Sequence, residues 1–262
     1  MPLVTSTIDD AGVATLTLHD EANLNAMSEA MAVDFRAAVD GLKKNRALRA
    51  VILTGAGKAF SAGGHLAMLD AKRSVGAEEN RAQMLAFYDS FLCILGLRVP
   101  IIAALHGAAV GAGLCLACAC DVRVASQDTK LGFTFLKLGL HPGMGGTYFV
   151  PRIVGAGMAT ELLVTGRILG AEEALRIGLV SRLCEKAKLL EEARSVANEI
   201  LSCGPLATAQ LLETMRGDTA HLEQALAREA VCQSVNYAGA EFAEGLAAIK
   251  EKRSPRFAKS EN

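Results

Sequence analysis

The chain contains no tryptophan, only three tyrosines and six prolines, and no excess of either charge: 27 Lys and Arg stand against 28 Asp and Glu in 262 residues. Near-neutrality argues against a general nucleic-acid binder, whose surface carries a basic surplus. No apolar run approaches the roughly 20 residues that span a bilayer. The opening Met1-Pro-Leu-Val-Thr-Ser-Thr7 lacks the charged-then-apolar pattern of a leader. No membrane partner and a cytoplasmic location are therefore expected. Seven cysteines are an odd number without a disulfide-like spacing, which suits a reducing compartment. Cys115, Cys118 and Cys120 are close enough to suggest metal ligands, but no second cluster accompanies them. In their Ala- and Leu-rich setting they read as small buried thiols, and no metal is expected.

What is present in quantity is apolar side chain, 51% of the composition, enough for one large core and a smaller appendage. Residues 3–18 alternate like two strands around a turn at Asp9–Gly12. Ser28 is placed to cap a helix to about Lys44, with Met31, Phe35, Ala38 and Leu42 on one face. Short apolar runs at Ala50–Thr54, Val99–Leu105, Val122–Ala125 and Lys130–Phe133 read as buried strands. Residues 69–98 are first charged and then amphipathic. From about Lys186 the pattern is helical, in segments near 187–202, 205–216, 220–236 and 239–250.

Two glycine-rich stretches follow two of the strands: Phe60-Ser-Ala-Gly-Gly-His-Leu66 and His106-Gly-Ala-Ala-Val-Gly-Ala-Gly-Leu114. Small residues there let a ligand approach the backbone, where free N–H groups can serve an anion. Two such groups converging from separate loops form an oxyanion hole. A rival pattern, Thr54-Gly-Ala-Gly-Lys-Ala-Phe60, resembles the start of a dinucleotide fingerprint. Its third glycine position is Phe60, and no Gly-Lys-Ser/Thr follows, so a nucleotide loop is not expected.

The run Glu21-Ala-Asn-Leu-Asn-Ala-Met27, the block Phe60–Leu66, the block His106–Asp121 and the stretch Leu138-Gly-Leu-His-Pro-Gly-Met-Gly-Gly-Thr147 occur in the order and spacing of the crotonase family. Glu161–Val180 resembles that family's next segment. The resemblance to this family, the enoyl-CoA hydratase/isomerase superfamily, covers nearly the whole chain. It implies an α/β fold: a ββα spiral core over residues 1–200 carrying an acyl-CoA site, then a helical region over 201–262 that packs subunits as a homotrimer or a dimer of trimers. It implies no cofactor beyond coenzyme A as part of the substrate.

The resemblance also assigns roles. The backbone N–H groups of Gly64 and Ala112 correspond to the donors for the thioester oxygen. Ala22, Leu24, Ala62, Gly64 and His65 correspond to backbone that meets the CoA moiety, while Arg253, Arg256, Phe257 and Lys259 loosely match a C-terminal segment, often a neighbouring subunit's, that meets its phosphates. The family's two acid/base carboxylates correspond to Cys115 and Phe135, neither of which is a carboxylate. His65, beside the first donor, and His141, before Pro142, are candidates to line the pocket; His65 has the chemistry for proton transfer near neutral pH. Tyr88, Asp89 and Glu79 lie in a segment that forms a mobile flap in the family. Two readings stay open. One is an enzyme that forms an enolate by decarboxylation or isomerisation instead of hydration. The other is an acyl-CoA binder that kept the fold and lost the chemistry.

Overall fold

The computed structural model describes residues 2–217 and 219–258; Lys259, expected at the cofactor phosphates, lies outside them. The chain opens with the expected antiparallel ribbon, β1 (Val4–Ile8) on β2 (Val13–Leu18). Gly12 turns it at φ +82, and the Asp9 carboxylate accepts from the Ala11 and Val13 amides. Five more strands are parallel continuations or members of a second sheet: β3 (Ala50–Gly55), β4 (Ile101–Leu105), β5 (Ala108–Val110), β6 (Val122–Ser126) and β7 (Lys130–Gly132). Then come β8 (Ile168–Gly170) and β9 (Arg182–Cys184).

The larger sheet runs β1-β2-β3-β4-β6-β9, and the smaller runs β5-β7-β8. Strand order in the large sheet never turns back on itself, which separates this fold from a doubly wound sheet with a reversal point. The chain steps repeatedly between sheets instead, from β4 into β5 and from β6 into β7. Each step advances along both, which is the spiral that was expected.

The strands read as continuous apolar runs because both faces of the large sheet are covered. Val51, Leu53, Ile101, Ala103 and Leu105 point into the main core. Their alternates Ala50, Ile52, Ile102 and Ala104 meet Leu189, Ala193, Val196 and Ala197 of the helix Leu189–Leu201. The helix Glu29–Lys43 starts at Ser28, whose Oγ accepts from the Met31 amide at 3.2 Å. Val39 takes the fully buried place on its face that the spacing assigned to Ala38.

The late helices fall at Leu189–Leu201, Pro205–Arg216, Thr219–Asn236 and Ala240–Lys250. Thr219–Asn236 packs along Ala77–Leu92, the amphipathic part of the flap-like segment. Three short strands (β5, β8 and β9) and the helices Gly146–Val154 and Ala156–Thr165 have no counterpart in the elements that periodicity marked.

Candidate active site

The two glycine-rich loops are joined edge to edge. The Phe60 amide donates to His106 O at 2.9 Å, Ser61 to Ala108 O at 3.0 Å, and Val110 back to Ser61 O at 3.1 Å. This short parallel ladder fixes the register of Gly64 against Ala112. It also dictates the glycines. A Cβ on Gly63 (φ +88) would come within 2.9 Å of Val110 O, and one on Gly113 within 2.5 Å of the Ser61 Cβ and Oγ. Gly111, at φ +53, makes the left-handed step that turns the second loop into the buried helix Gly111–Ala119.

The direction of each donor follows from its neighbours. Gly63 O accepts from the Met27 amide at 2.7 Å, and the His65 amide donates to Met27 O at 2.9 Å. Gly64 sits between these two bonds, so its own N–H points away from Met27, because amide direction alternates along extended backbone. Ala112 lies in the first turn of its helix, where an N–H has no intrahelical acceptor. Among the described residues neither amide donates to any group. Both residues line one cavity of about 590 Å³.

The loop before the first donor is locked by Asn25, fully buried and at φ +55. Its Oδ1 accepts from the Asp20 amide, and its Nδ2 donates to Ala56 O and Ala59 O at 2.8 and 2.7 Å. The carboxamide thus fills the Thr54–Phe60 turn, in accord with the rejection of a nucleotide loop there.

Ala22, Leu24, Ala62, Gly64, His65, Ala112 and Phe135 all line the cavity. His65 stands half-exposed at the start of the helix Leu66–Ala71; its ring makes no capping bond. Phe135 is 7% exposed on a short 3-10 turn and presents apolar wall. Cys115 does not reach the cavity. It is fully buried in its helix, where a Cβ on Gly146 would meet its Sγ at 3.0 Å. Burial pushes its thiol well above the usual range, so it is held neutral and is no nucleophile. His141 and Phe257 are not brought to the cavity. They line a separate groove with Val231 and Val235, and the His141 Nδ1 lies 2.8 Å from Pro142 O. Arg253 is held by Glu244 at 2.5 and 2.9 Å and by Glu251 at 2.6 Å.

Of the flap residues, Tyr88 faces the cavity, while Asp89 is exposed and pairs with Arg36, and Glu79 bonds Gln83. Gln233 and Tyr237, which no site expectation named, also line the cavity, from the end of the helix Thr219–Asn236 and just beyond. The Tyr88 hydroxyl donates to Gln233 Oε1 at 2.8 Å and the Tyr237 hydroxyl to the same oxygen at 3.2 Å. A polar residue on the buried stripe of an amphipathic helix was the available signal. Among the described residues the cavity lining holds no Asp, Glu, Lys or Arg, and no group of His, Cys, Asp and Glu is arranged to hold a metal.

Comparison with known proteins agrees with this architecture. The family model described as "Enoyl-CoA hydratase/isomerase" matches residues 9–260. A putative enoyl-CoA hydratase of Thermus thermophilus is 37% identical over 253 residues, covering 95% of this chain and 99% of that one. A crotonyl-CoA hydratase of Syntrophomonas wolfei is 35% identical over 94% of each chain. A solved enoyl-CoA hydratase/isomerase from Pseudoalteromonas atlantica superposes with a TM-score of 0.85 at 29% identity, over 98% of this chain and 100% of the other. No described helix is long and apolar enough to cross a membrane.

Proposed function

The chain belongs to the enoyl-CoA hydratase/isomerase family, and from that premise we propose that it binds an acyl-CoA with the thioester oxygen on the Gly64 and Ala112 amides, and forms an enolate by decarboxylation or isomerisation. The carrying observation is a pair of unpaired amide donors on a cavity whose lining has no carboxylate.

Decarboxylation of a malonyl-type thioester fits that wall best. The bond from Cα to the carboxylate breaks, CO₂ leaves, and the electron pair moves through Cα onto the thioester oxygen, where both amides meet the developing charge. An apolar wall such as Phe135 solvates the starting carboxylate poorly, and CO₂ needs no solvation. The step needs no base; Cα is then protonated by solvent or by His65 as general acid. Double-bond isomerisation would use the same donors, with His65 carrying the proton. Hydration, named in the relatives' descriptions, calls in this family for a carboxylate pair to hold and deprotonate water; the matching positions here are Cys115 and Phe135.

Buried Cys115, turned from the cavity, favours a second reading as an acyl-CoA binder without turnover. Mass spectrometry of enoyl-, saturated, branched and malonyl-type CoA esters incubated with the protein in heavy water separates the readings. The expected result is CO₂ loss with deuterium at Cα. Addition of water to an enoyl ester would overturn the proposed reaction. Binding without change in any ester would establish the binder. The resemblance extends the proposal to a homotrimer or dimer of trimers, which sedimentation equilibrium reads directly.

A further inference from the structure

The polar cluster of Tyr88, Gln233 and Tyr237 has no part in the enolate chemistry, yet it lies on the same cavity. Tyr88 and Tyr237 are about 1% exposed and Gln233 3%. The wall around them is apolar, with Met84, Phe87 and Met144 among its residues. Hydrogen-bond chemistry fixes which way the Gln233 carboxamide points. Its Nε2 lies 2.8 Å from His141 O, a carbonyl that only accepts, so the amino group is on that side and Oε1 faces the two phenols. The Tyr88 proton is therefore spent on Oε1, and the Tyr237 proton is shared between Oε1 at 3.2 Å and Met84 Sδ at 3.4 Å.

The cluster's unused capacity follows from that arrangement. The second N–H of Gln233 has no acceptor among the described residues, and neither phenol oxygen accepts a bond. One donor and two acceptors remain on a dry wall. Gly143 packs directly against them, since a Cβ there would lie 2.7 Å from both Gln233 Nε2 and the Tyr88 hydroxyl, so no side chain at that position covers the cluster. A plain hydrocarbon chain would cover these groups and leave the N–H buried without water or partner, which is unfavourable. An anionic group would fare worse, because no described cation lines the cavity to accompany it. A neutral keto oxygen takes the N–H, and a hydroxyl both takes it and donates to a phenol oxygen.

We infer that Gln233, with Tyr88 and Tyr237, is a specificity determinant that selects acyl chains bearing a neutral keto or hydroxyl oxygen beyond the thioester carbonyl. The inference rests on the acyl-CoA reading of the cavity. Sites built to hydrogen-bond a substrate group discriminate more strongly against analogues that lack it than apolar pockets do against one methylene.

The test is competition calorimetry of the intact protein with butanoyl-, 3-oxobutanoyl- and 3-hydroxybutanoyl-CoA, each ester checked by mass spectrometry to be intact after titration. The expected result is binding of an oxygenated ester at least about tenfold tighter than butanoyl-CoA, with the ratio falling toward one in Gln233→Leu. Tyr88→Phe, which removes one phenol oxygen and keeps the ring, narrows the ratio for the hydroxy ester and serves where Gln233→Leu does not fold. Equal or tighter binding of butanoyl-CoA by the unaltered protein would overturn the inference, as would a Gln233→Leu variant that keeps the full ratio. Failure of all three esters to bind would instead overturn the acyl-CoA reading itself.

Discussion

The two sides of the cavity are built by opposite means. On one side the chemistry we propose rests on backbone: the Gly64 and Ala112 amides, aimed by a parallel ladder between loops that are some fifty residues apart in sequence. Side-chain identity matters there in what is forbidden, as at Gly63 and Gly113, and in the Asn25 carboxamide that locks the loop. On the other side the wall is made of side chains from the short turn at Phe135, the helix Ala77–Leu92 and the helix Thr219–Asn236. Backbone donors persist through almost any substitution that spares the glycines. A side-chain wall can be rewritten one residue at a time. On the proposed reading, the difference teaches where reaction and substrate diverge within a shared fold: the part assigned to the developing charge is the harder to change.

The sharpest way to break this comparison is to remove one donor. Gly64→Pro deletes the N–H, while the three atoms nearest its Cβ all belong to the flexible Leu69 side chain, the first at 3.1 Å. Turnover of the active ester should fall roughly 10²–10³-fold, the loss seen when one oxyanion donor is removed, with circular dichroism showing the fold retained. A loss under about tenfold would mean that the backbone side does not carry the chemistry. Asn25→Ala tests how firmly that side is held. It strips three hydrogen bonds from a buried site and leaves backbone groups unpaired. Urea denaturation should show about 2–4 kcal/mol of lost stability, and a change below about 0.5 kcal/mol would contradict the locking role. Cys115→Ala sharpens the comparison from the other direction. Because the thiol is neutral, buried and off the cavity, kcat should change less than about threefold, and iodoacetamide should label exposed Cys203 while leaving Cys115 unmodified. Loss of turnover in that variant would place the thiol in the mechanism.

How much of this is legible in the sequence follows the same division. The donor loops are readable because backbone geometry at Gly63, Gly111 and Gly113 tolerates no side chain, and glycine spacing records that demand directly. The central strands β3 and β4 of the large sheet are readable because both faces are buried. The strands β5, β8 and β9 are not. Each is three residues long, too short for any period, and Ala108–Val110 lies inside a glycine-rich loop that reads as turn. The polar cluster is hidden for another reason. Tyr88 and Gln233 are 145 residues apart, and each on its own helix passes for ordinary amphipathic packing. Only the pairing of the two helices reveals that their polar atoms meet. His141 shows the converse: its position before Pro142 suggested the pocket, but the turn sends it to the other side of the wall, where its carbonyl serves Gln233.

That carbonyl bond also has a bearing on how the protein is made. Both amide donors are encoded by residue 112, whereas Gln233 and Tyr237 leave the ribosome more than a hundred residues later. A nascent chain therefore carries both loops before the helix that bears Gln233 exists. Only the last helices, docking Gln233 onto Tyr88 and His141, close the wall. The order of synthesis thus sets the two unpaired amides ahead of the side-chain wall, and the cavity takes its full lining only after the residues through Tyr237 have been made.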